Sequence, residues 1–588
     1  MSAVSPGTRV AAQQPSEISQ KHLEDRETRD SVALLLSIVK SCYGPLGRLK
    51  MIQNASGGHV TVTSSASRLF PVLTISKPVL KLVTSAVQTH LQQFNDGGLF
   101  SSLLSLFMIK ISLNLADVNR ILMCDVLDYL KKFCMDVLLS RECNVKFDLD
   151  FSNIDMMLML LRNIMGTKRG CSLNDAELHH VCQLVLETFL KTFREYAKGN
   201  DFSHVDIVAV EGVSPLKSYF MTGVLFEKRH SEKLGQHLDF IRLQRGDSMA
   251  IRCCLVDISL SGDSGEFLDI VFETDTDHTL GDGIIEMILR LCKKFESDGV
   301  GIVFCQKVIH PAVQQFLREK GVLAIDRLGS ASAKAVLELT GCIPISSLIA
   351  STSADSYGYI DTIDHLELGK KHFYHIKSSQ SLVSTVALHG RNEEALAELQ
   401  HVFRVGLDTL QMAVYKKHMV PGGGCLETCL ASTVRNHVLT NEEKLMTNFS
   451  CSRSTLCVVT QTFLHSLESV ATTLDPNSHH FTDNVTNHHW TARPNSSIDV
   501  DYSKILVECC CGMIQNDATM GLQFREIFPV CSQTFLKAEA MGMTPDLEIE
   551  KRSPRVFDPL QAKLHAFHIA MSTASMVLRV GNFISDTN

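Results

Sequence analysis

An aspartate followed by two glycines, set between two apolar helical runs, constrains this chain most. Asn95-Asp96-Gly97-Gly98-Leu99 sits inside residues 94–102; residues 79–91 form the run before it and residues 103–115 the run after it. Glycines at a helix start let backbone N–H groups approach an anion, and the helix dipole favours negative charge there. An aspartate beside such an anion can hold Mg2+. The same letters also fit a plain turn between two buried helices, so other segments must decide.

Composition narrows the classes. At 588 residues the chain has room for about four domain-sized units. Hydrophobic residues make up 45% and charged residues 20%, a globular balance. The net charge of -8 comes without a block of five like charges, which argues against a nucleic-acid footprint. No apolar run approaches the roughly 18 residues that span a bilayer. Residues 1–30 lack an apolar signal core, so a cytosolic location and reduced thiols are expected for the 19 cysteines. Cys509-Cys510-Cys511 has no second pair at zinc spacing.

Periodicity divides the chain into three stretches. Residues 1–27 read as a polar arm. Val32, Leu35, Leu36 and Val39 mark a first helix over 29–42, and the pattern stays helical and apolar from 103 to about 139. Residues 152–196 continue helical. Strands then alternate with helices: strands near 205–210, 223–226, 251–257, 301–305 and 321–325, with helices at 284–295 and 311–320. After strands over 356–388, the pattern returns to helix from 392 to 474. Residues 476–501 are polar, with four histidines, and read as a solvent loop. A last amphipathic helix spans 558–584. Periodicity alone therefore gives helical, α/β, helical.

Three more segments join the Asp96 loop. Residues 41–50 close a helix on Gly44-Pro45. Residues 58–66 give a strand and a turn ending Thr63-Ser64-Ser65. Residues 420–427 put Gly422-Gly423-Gly424 at a helix start. In this order they resemble the nucleotide pocket of the group II chaperonins, the TCP-1/TRiC-like family. The likeness covers about 30–585 and is nearest to the family's chaperonin-like branch tied to Bardet–Biedl syndrome.

The resemblance implies an α+β and α/β multidomain subunit: a helical equatorial domain, a small intermediate domain and an α/β apical domain. The expected boundaries are 1–28 arm, 29–147 and 407–588 equatorial, 148–211 and 367–406 intermediate, and 212–366 apical, with 476–501 an insert. The family's apical lid helices would follow residue 251; residues 260–279 are too short and polar for them. The implied cofactors are ATP and Mg2+. Gly44, Pro45, Asp96, Gly97, Gly98, Gly423, Gly424 and Asp558 are the implied nucleotide-binding positions, with Asp96 on the metal. The family's phosphate loop has two threonines where Gly98 and Leu99 stand. Its water-activating acid matches Ser65, which is no base, and a second acid matches Asp408. The implied reading is an assembly factor with an eroded ATPase pocket. Its implied partners are other Bardet–Biedl chaperonin-like proteins, TRiC/CCT subunits and client subunits of the ciliary BBSome, at the centrosome or basal body and not in a stable homo-ring. The alternative is an ATP-hydrolysing subunit of a folding ring. A kinase or P-loop ATPase is disfavoured because no Walker A run occurs.

Overall fold

A computed structural model describes residues 17–20, 22–53, 60–115, 117–140, 145–193, 205–227, 250–262, 280–348, 353–379, 381, 383–474, 515–517, 521–523 and 556–585. Residues 1–16 of the expected arm, 263–279 of the shortened lid stretch, the 476–501 insert and the Cys509–Cys511 run lie outside them. The chain divides into two compact units. One combines Met1–Ser172 with Asp408–Asn588, and the other is Leu173–Leu407.

The first unit is built on helices. Gly98–Ser112 is buried nearly all round, with Phe100, Leu103, Leu104, Leu106, Met108 and Ile109 inside. Such a helix can only be central. Two of its serines turn their hydroxyls back onto the helix: Ser102 Oγ donates to Gly98 O at 2.8 Å and Ser105 Oγ to Ser102 O at 3.0 Å. The buried Ser101 and Ser112 hydroxyls have no partner among the described residues. The helix Leu560–Arg579 packs on it and on Pro78–Phe94 and Arg120–Leu139. The first helix, Arg26–Cys42, also packs on Gly98–Ser112, so both chain ends share one core from Leu23 to Leu578.

Helix starts follow capping chemistry. Asp25 accepts from Thr28 N, and Asn119 Oδ1 accepts from Ile121 N at 2.9 Å. Residues 103–139, expected as one helical stretch, break at 113–119, where Asn119 caps the second helix. The stretch 152–196 likewise divides into Ile154–Met165 and Asp175–Thr192. Inside the segment expected as an arm, Glu17–Gln20 pairs antiparallel with Asn582–Ser585. The last helix accordingly stops at Arg579, short of residue 584. A three-stranded sheet joins Phe147–Asp148, His418–Pro421 and Phe557–Pro559. Its register sets Val420 opposite Asp558 and Pro421 opposite Phe557, which fixes where the glycine triplet begins.

The second unit holds a four-stranded sheet. Leu323–Ile325, Ile302–Cys305 and Ile251–Val256 run parallel, and Tyr357–Ile360 adds antiparallel at the edge. Strand alternation sends neighbours to opposite faces. Cys253 and Leu255 pack with Val336 and Leu339 of Gly329–Thr340. Cys254 and Val256 pack with Ile288 of Leu280–Ser297 and Val313 of Pro311–Glu319. Both faces are covered, which explains the near-continuous apolar strands. Two further three-stranded sheets, Thr362–Leu368 with Lys371–Lys377 and Val224–Glu227, and Val205–Glu211 with Ser384–Gly390 and Tyr219–Thr222, complete the unit. The fold is α+β and α/β, as the sequence implies. Among the described residues no helix is long and apolar enough to cross a membrane.

Candidate nucleotide site

The Asp96 loop takes its shape from two left-handed residues. Asn95, φ 55°, ends Pro78–Phe94, and Gly97, φ 79°, precedes Gly98–Ser112. Asparagine tolerates that region; a Cβ on Gly97 would also lie 2.9 Å from His90 Nε2. Asn95 Nδ2 donates to Asp408 Oδ2 at 2.7 Å, which ties the loop to the helix Glu393–Tyr415.

Below the loop, His90 is fully buried. Its Nε2 lies 2.8 Å from Asp96 O and its Nδ1 2.8 Å from His565 Nδ1. A carbonyl only accepts, so His90 Nε2 carries the proton and His90 Nδ1 accepts from His565 Nδ1–H. Burial pushes the pKa of His90 down to about 4, keeping it neutral and the order of donors fixed.

The loop forms one wall of a cavity of about 420 Å3 within the first unit. Gly44 and Pro45 form a second wall, Ser64, Ala66 and Ser67 a third, and Gly423, Asp558 and Lys563 a fourth. The backbone of Gly98–Ser112 and that of Cys425–Thr440 both start here. Their N-caps, Gly97 and Gly424, offer no side-chain acceptor for the first N–H groups. Ser64 Oγ, on the wall, is buried and has no hydrogen-bond partner among the described residues. Uncapped helix starts and an orphan hydroxyl fit an anionic group such as a phosphate.

The fit to a divalent cation differs. Asp96 Oδ1 lies 3.0 Å from Lys168 Nζ. Burial works to raise the Asp96 pKa, but the Lys168 ammonium and the Gly97 N–H hold it below the usual carboxylate range. Asp558 Oδ2 lies 3.2 Å from Lys563 Nζ, which also meets Glu427 Oε1 at 2.7 Å and sits 3.8 Å over the Phe100 ring. Burial opposes the charge on Lys563, and the two acids more than offset it, raising its pKa. Each acid facing the cavity thus already has a lysine. Among the described residues no three His, Cys, Asp or Glu side chains converge as a metal site.

Of the sequence-predicted residues, Gly44, Pro45, Asp96, Gly97, Gly98, Gly423 and Asp558 line this cavity, as does Leu99. Gly424 caps the adjoining helix. Asp408 reaches the loop through Asn95. Ser65 is buried at the start of Ala66–Leu69, where its N–H donates to Thr63 Oγ1 at 2.9 Å. Lys168, Lys563, Ser64 and the His90–His565 pair were missed by sequence reasoning. The signal for Lys168 was Gly166-Thr167-Lys168-Arg169-Gly170, two glycines around a basic pair, hidden inside a stretch read as continuous helix.

Comparison with known proteins defines the class. The TCP-1/cpn60 chaperonin family matches residues 35–588, and the chain belongs to it. The family generally binds ATP with Mg2+. The human protein named molecular chaperone MKKS is 30% identical over 585 residues, 99% of this chain and all of that protein. The mouse protein of that name is 31% identical over 587 residues, again 99% of this chain. The alpha thermosome subunit of Saccharolobus shibatae is 23% identical over 68% of this chain and 71% of its own length.

Proposed function

We propose that this chaperonin-family chain is an assembly factor whose pocket takes nucleotide but scarcely hydrolyses it. The observation that carries the reading is Ser65: a buried hydroxyl, 1% exposed, stands where the family resemblance calls for a water-activating acid. Leu99, on the cavity wall, replaces a phosphate-facing hydroxyl. Gly44, Pro45, Asp96, Gly97, Gly98, Gly423, Gly424 and Asp558 form the proposed nucleotide site, and Asp408, bound to Asn95, is the remaining acid near the loop. In the proposed layout 29–147 and 407–588 are equatorial, 148–211 and 367–406 intermediate and 212–366 apical. The helical unit then holds nearly all of the equatorial domain and the start of the intermediate one, and the Leu173–Leu407 unit the apical domain and the rest of the intermediate one.

The likeness to the proteins named molecular chaperone MKKS supports a chaperone role. The proposed client is the BBSome. Other Bardet–Biedl chaperonin-like proteins and TRiC/CCT are the proposed co-workers, in the cytosol and at the centrosome or basal body. Affinity capture from ciliated cells, with the bound proteins identified, tests the partners. Native mass analysis tests the assembly: a monomer or mixed complex agrees, and stacked homomeric rings would refute it.

Hydrolysis is tested by steady-state phosphate release from protein freed of co-purifying chaperonin. A water-activating acid contributes roughly a hundred- to ten-thousand-fold in rate. Turnover should therefore fall at least about a hundredfold below a working chaperonin subunit. Turnover equal to such a subunit, and abolished by Asp408→Ala, would favour an active ring subunit instead.

A further inference from the structure

The loop opposite Asp96 is anchored by two adjacent basic residues. Arg169 Nε donates to Pro45 O at 2.6 Å, on one wall of the cavity. Lys168 Nζ donates to Asp96 Oδ1 at 3.0 Å, on the other. Lys168 N also donates to Met165 O at 3.0 Å, at the end of Ile154–Met165. The Lys168 side chain is 13% exposed. The backbone of the loop is therefore fixed from two sides, with its ammonium inside the cavity.

A Mg2+ ion needs near-octahedral oxygen ligands and dehydrates reluctantly. The acids here are already engaged: Asp96 with Lys168, Asp558 with Lys563, and Asp408 with Asn95. A divalent ion at Asp96 would also meet the Lys168 ammonium at close range, where like charges repel. An ammonium is a compact charge with three donors, and can hold a carboxylate and a phosphate oxygen together. The helix starts at Gly98 and Cys425 and the orphan Ser64 hydroxyl supply further donors without any metal.

We infer that this cavity binds the phosphates of a nucleotide without a divalent cation, Lys168 supplying the positive charge beside Asp96 that a metal would otherwise bring. The inference rests on the nucleotide reading of the cavity. It makes binding insensitive to magnesium, a property that separates it from that reading.

The test is equilibrium binding of a ribose-labelled fluorescent ADP to the full chain, followed by anisotropy in chelator and in magnesium. Wild-type affinities in the two buffers should agree within about twofold. Lys168→Met should weaken binding in chelator by about tenfold or more, the size expected for a lost charge-assisted hydrogen bond. Magnesium should restore part of that loss. Lys168→Arg should keep binding in chelator, which covers the case in which the methionine variant misfolds. Wild-type binding that disappears in chelator overturns the inference while leaving the nucleotide reading intact, and so does Lys168→Met binding as well as wild type in chelator. Absence of binding in both buffers overturns the reading, and the inference with it.

Discussion

His90 is fully buried, and its ring sets the geometry of the loop above it through Asp96 O. A histidine held neutral by burial makes folding sensitive to acid in a definite direction. Its folded pKa is about 4 against an ordinary 6.5, so between those values the unfolded chain binds the extra proton. Its contribution to stability is complete above about pH 6.5 and is lost as pH falls toward 4, on the order of 3 kcal/mol at the acid end. Burial lowers His437, His565 and His568 in the same unit as well. The comparison must therefore be between wild type and His90→Gln: urea midpoints from pH 7 to 4 should fall more steeply for wild type. Parallel curves would show that His90 makes no such contribution. At this scale the sequence revealed what is local. Asp96, Gly97 and Gly98 were legible because one short run carries their backbone demand, and Ser65 because an expected acid was missing. Lys168 was not, because its partner lies 72 positions away and only the fold brings the two together. His90 and His565, 475 positions apart, were hidden for the same reason.

Helix starts in this chain divide between side-chain caps, as at Asp25, Asn119 and Asn174, and bare starts, as at Gly97, Gly424 and Pro559. Asp175–Thr192 begins with a full capping box, Asn174 with Glu177. Glu177 is 1% exposed and also accepts from Ser214 Oγ at 3.0 Å and Arg391 at 2.6 Å. One carboxylate thus joins the helix start, the turn at Pro215–Lys217 and the end of Ser384–Gly390. Burial alone would raise its pKa; the Asn174 N–H, Arg391 and Ser214 bring it below the ordinary value. Its contribution is therefore present above the unfolded carboxyl value and lost as pH falls through the folded one. Glu177→Ala should cost about 1–2 kcal/mol, since it removes half of the capping box and the hydrogen bonds from Ser214 and the half-exposed Arg391. Glu177→Gln should cost less, because an amide oxygen still accepts. Denaturant unfolding with hydrogen exchange along the helix Asp175–Thr192 checks both, and equal losses would show that charge, not hydrogen bonding, is what matters. Long elements were legible from period: the alternation of strands with helices over 251–325 pointed to an α/β unit with parallel strands. The three-residue strand Phe557–Pro559 and the pairing of Glu17–Gln20 with Asn582–Ser585 were not. So few residues carry no period, and their partners lie at the far end of the chain.

The whole molecule is two folding problems carried by one chain. The core of the helical unit draws on residues from Leu23 to Leu138 and from Val420 to Leu578. The cores flanking the four-stranded sheet draw only on residues from Val224 to Val383. Removing the terminal helix should therefore damage one unit and spare the other. Leu560–Arg579 buries Leu560, Leu564, Phe567, Met571, Val577 and Leu578. Its polar residues also pair with Arg120–Leu139: Ser575 Oγ with Asp128 at 3.0 Å, and Arg579 with Asp125 at 2.8 Å and Asp128 at 3.1 Å. Six buried side chains at roughly 1.5–3 kcal/mol each give about 9–18 kcal/mol, as large as the net stability of a typical domain. A chain ended at Pro559 should lose protection against hydrogen exchange in the helices Arg26–Cys42, Pro78–Phe94, Gly98–Ser112 and Arg453–Thr473. The strands Ile251–Val256 and Ile302–Cys305 should keep theirs, with denaturant unfolding reduced to a single smaller transition. Loss of protection in both units together would mean that the cores depend on each other, although they share no residue.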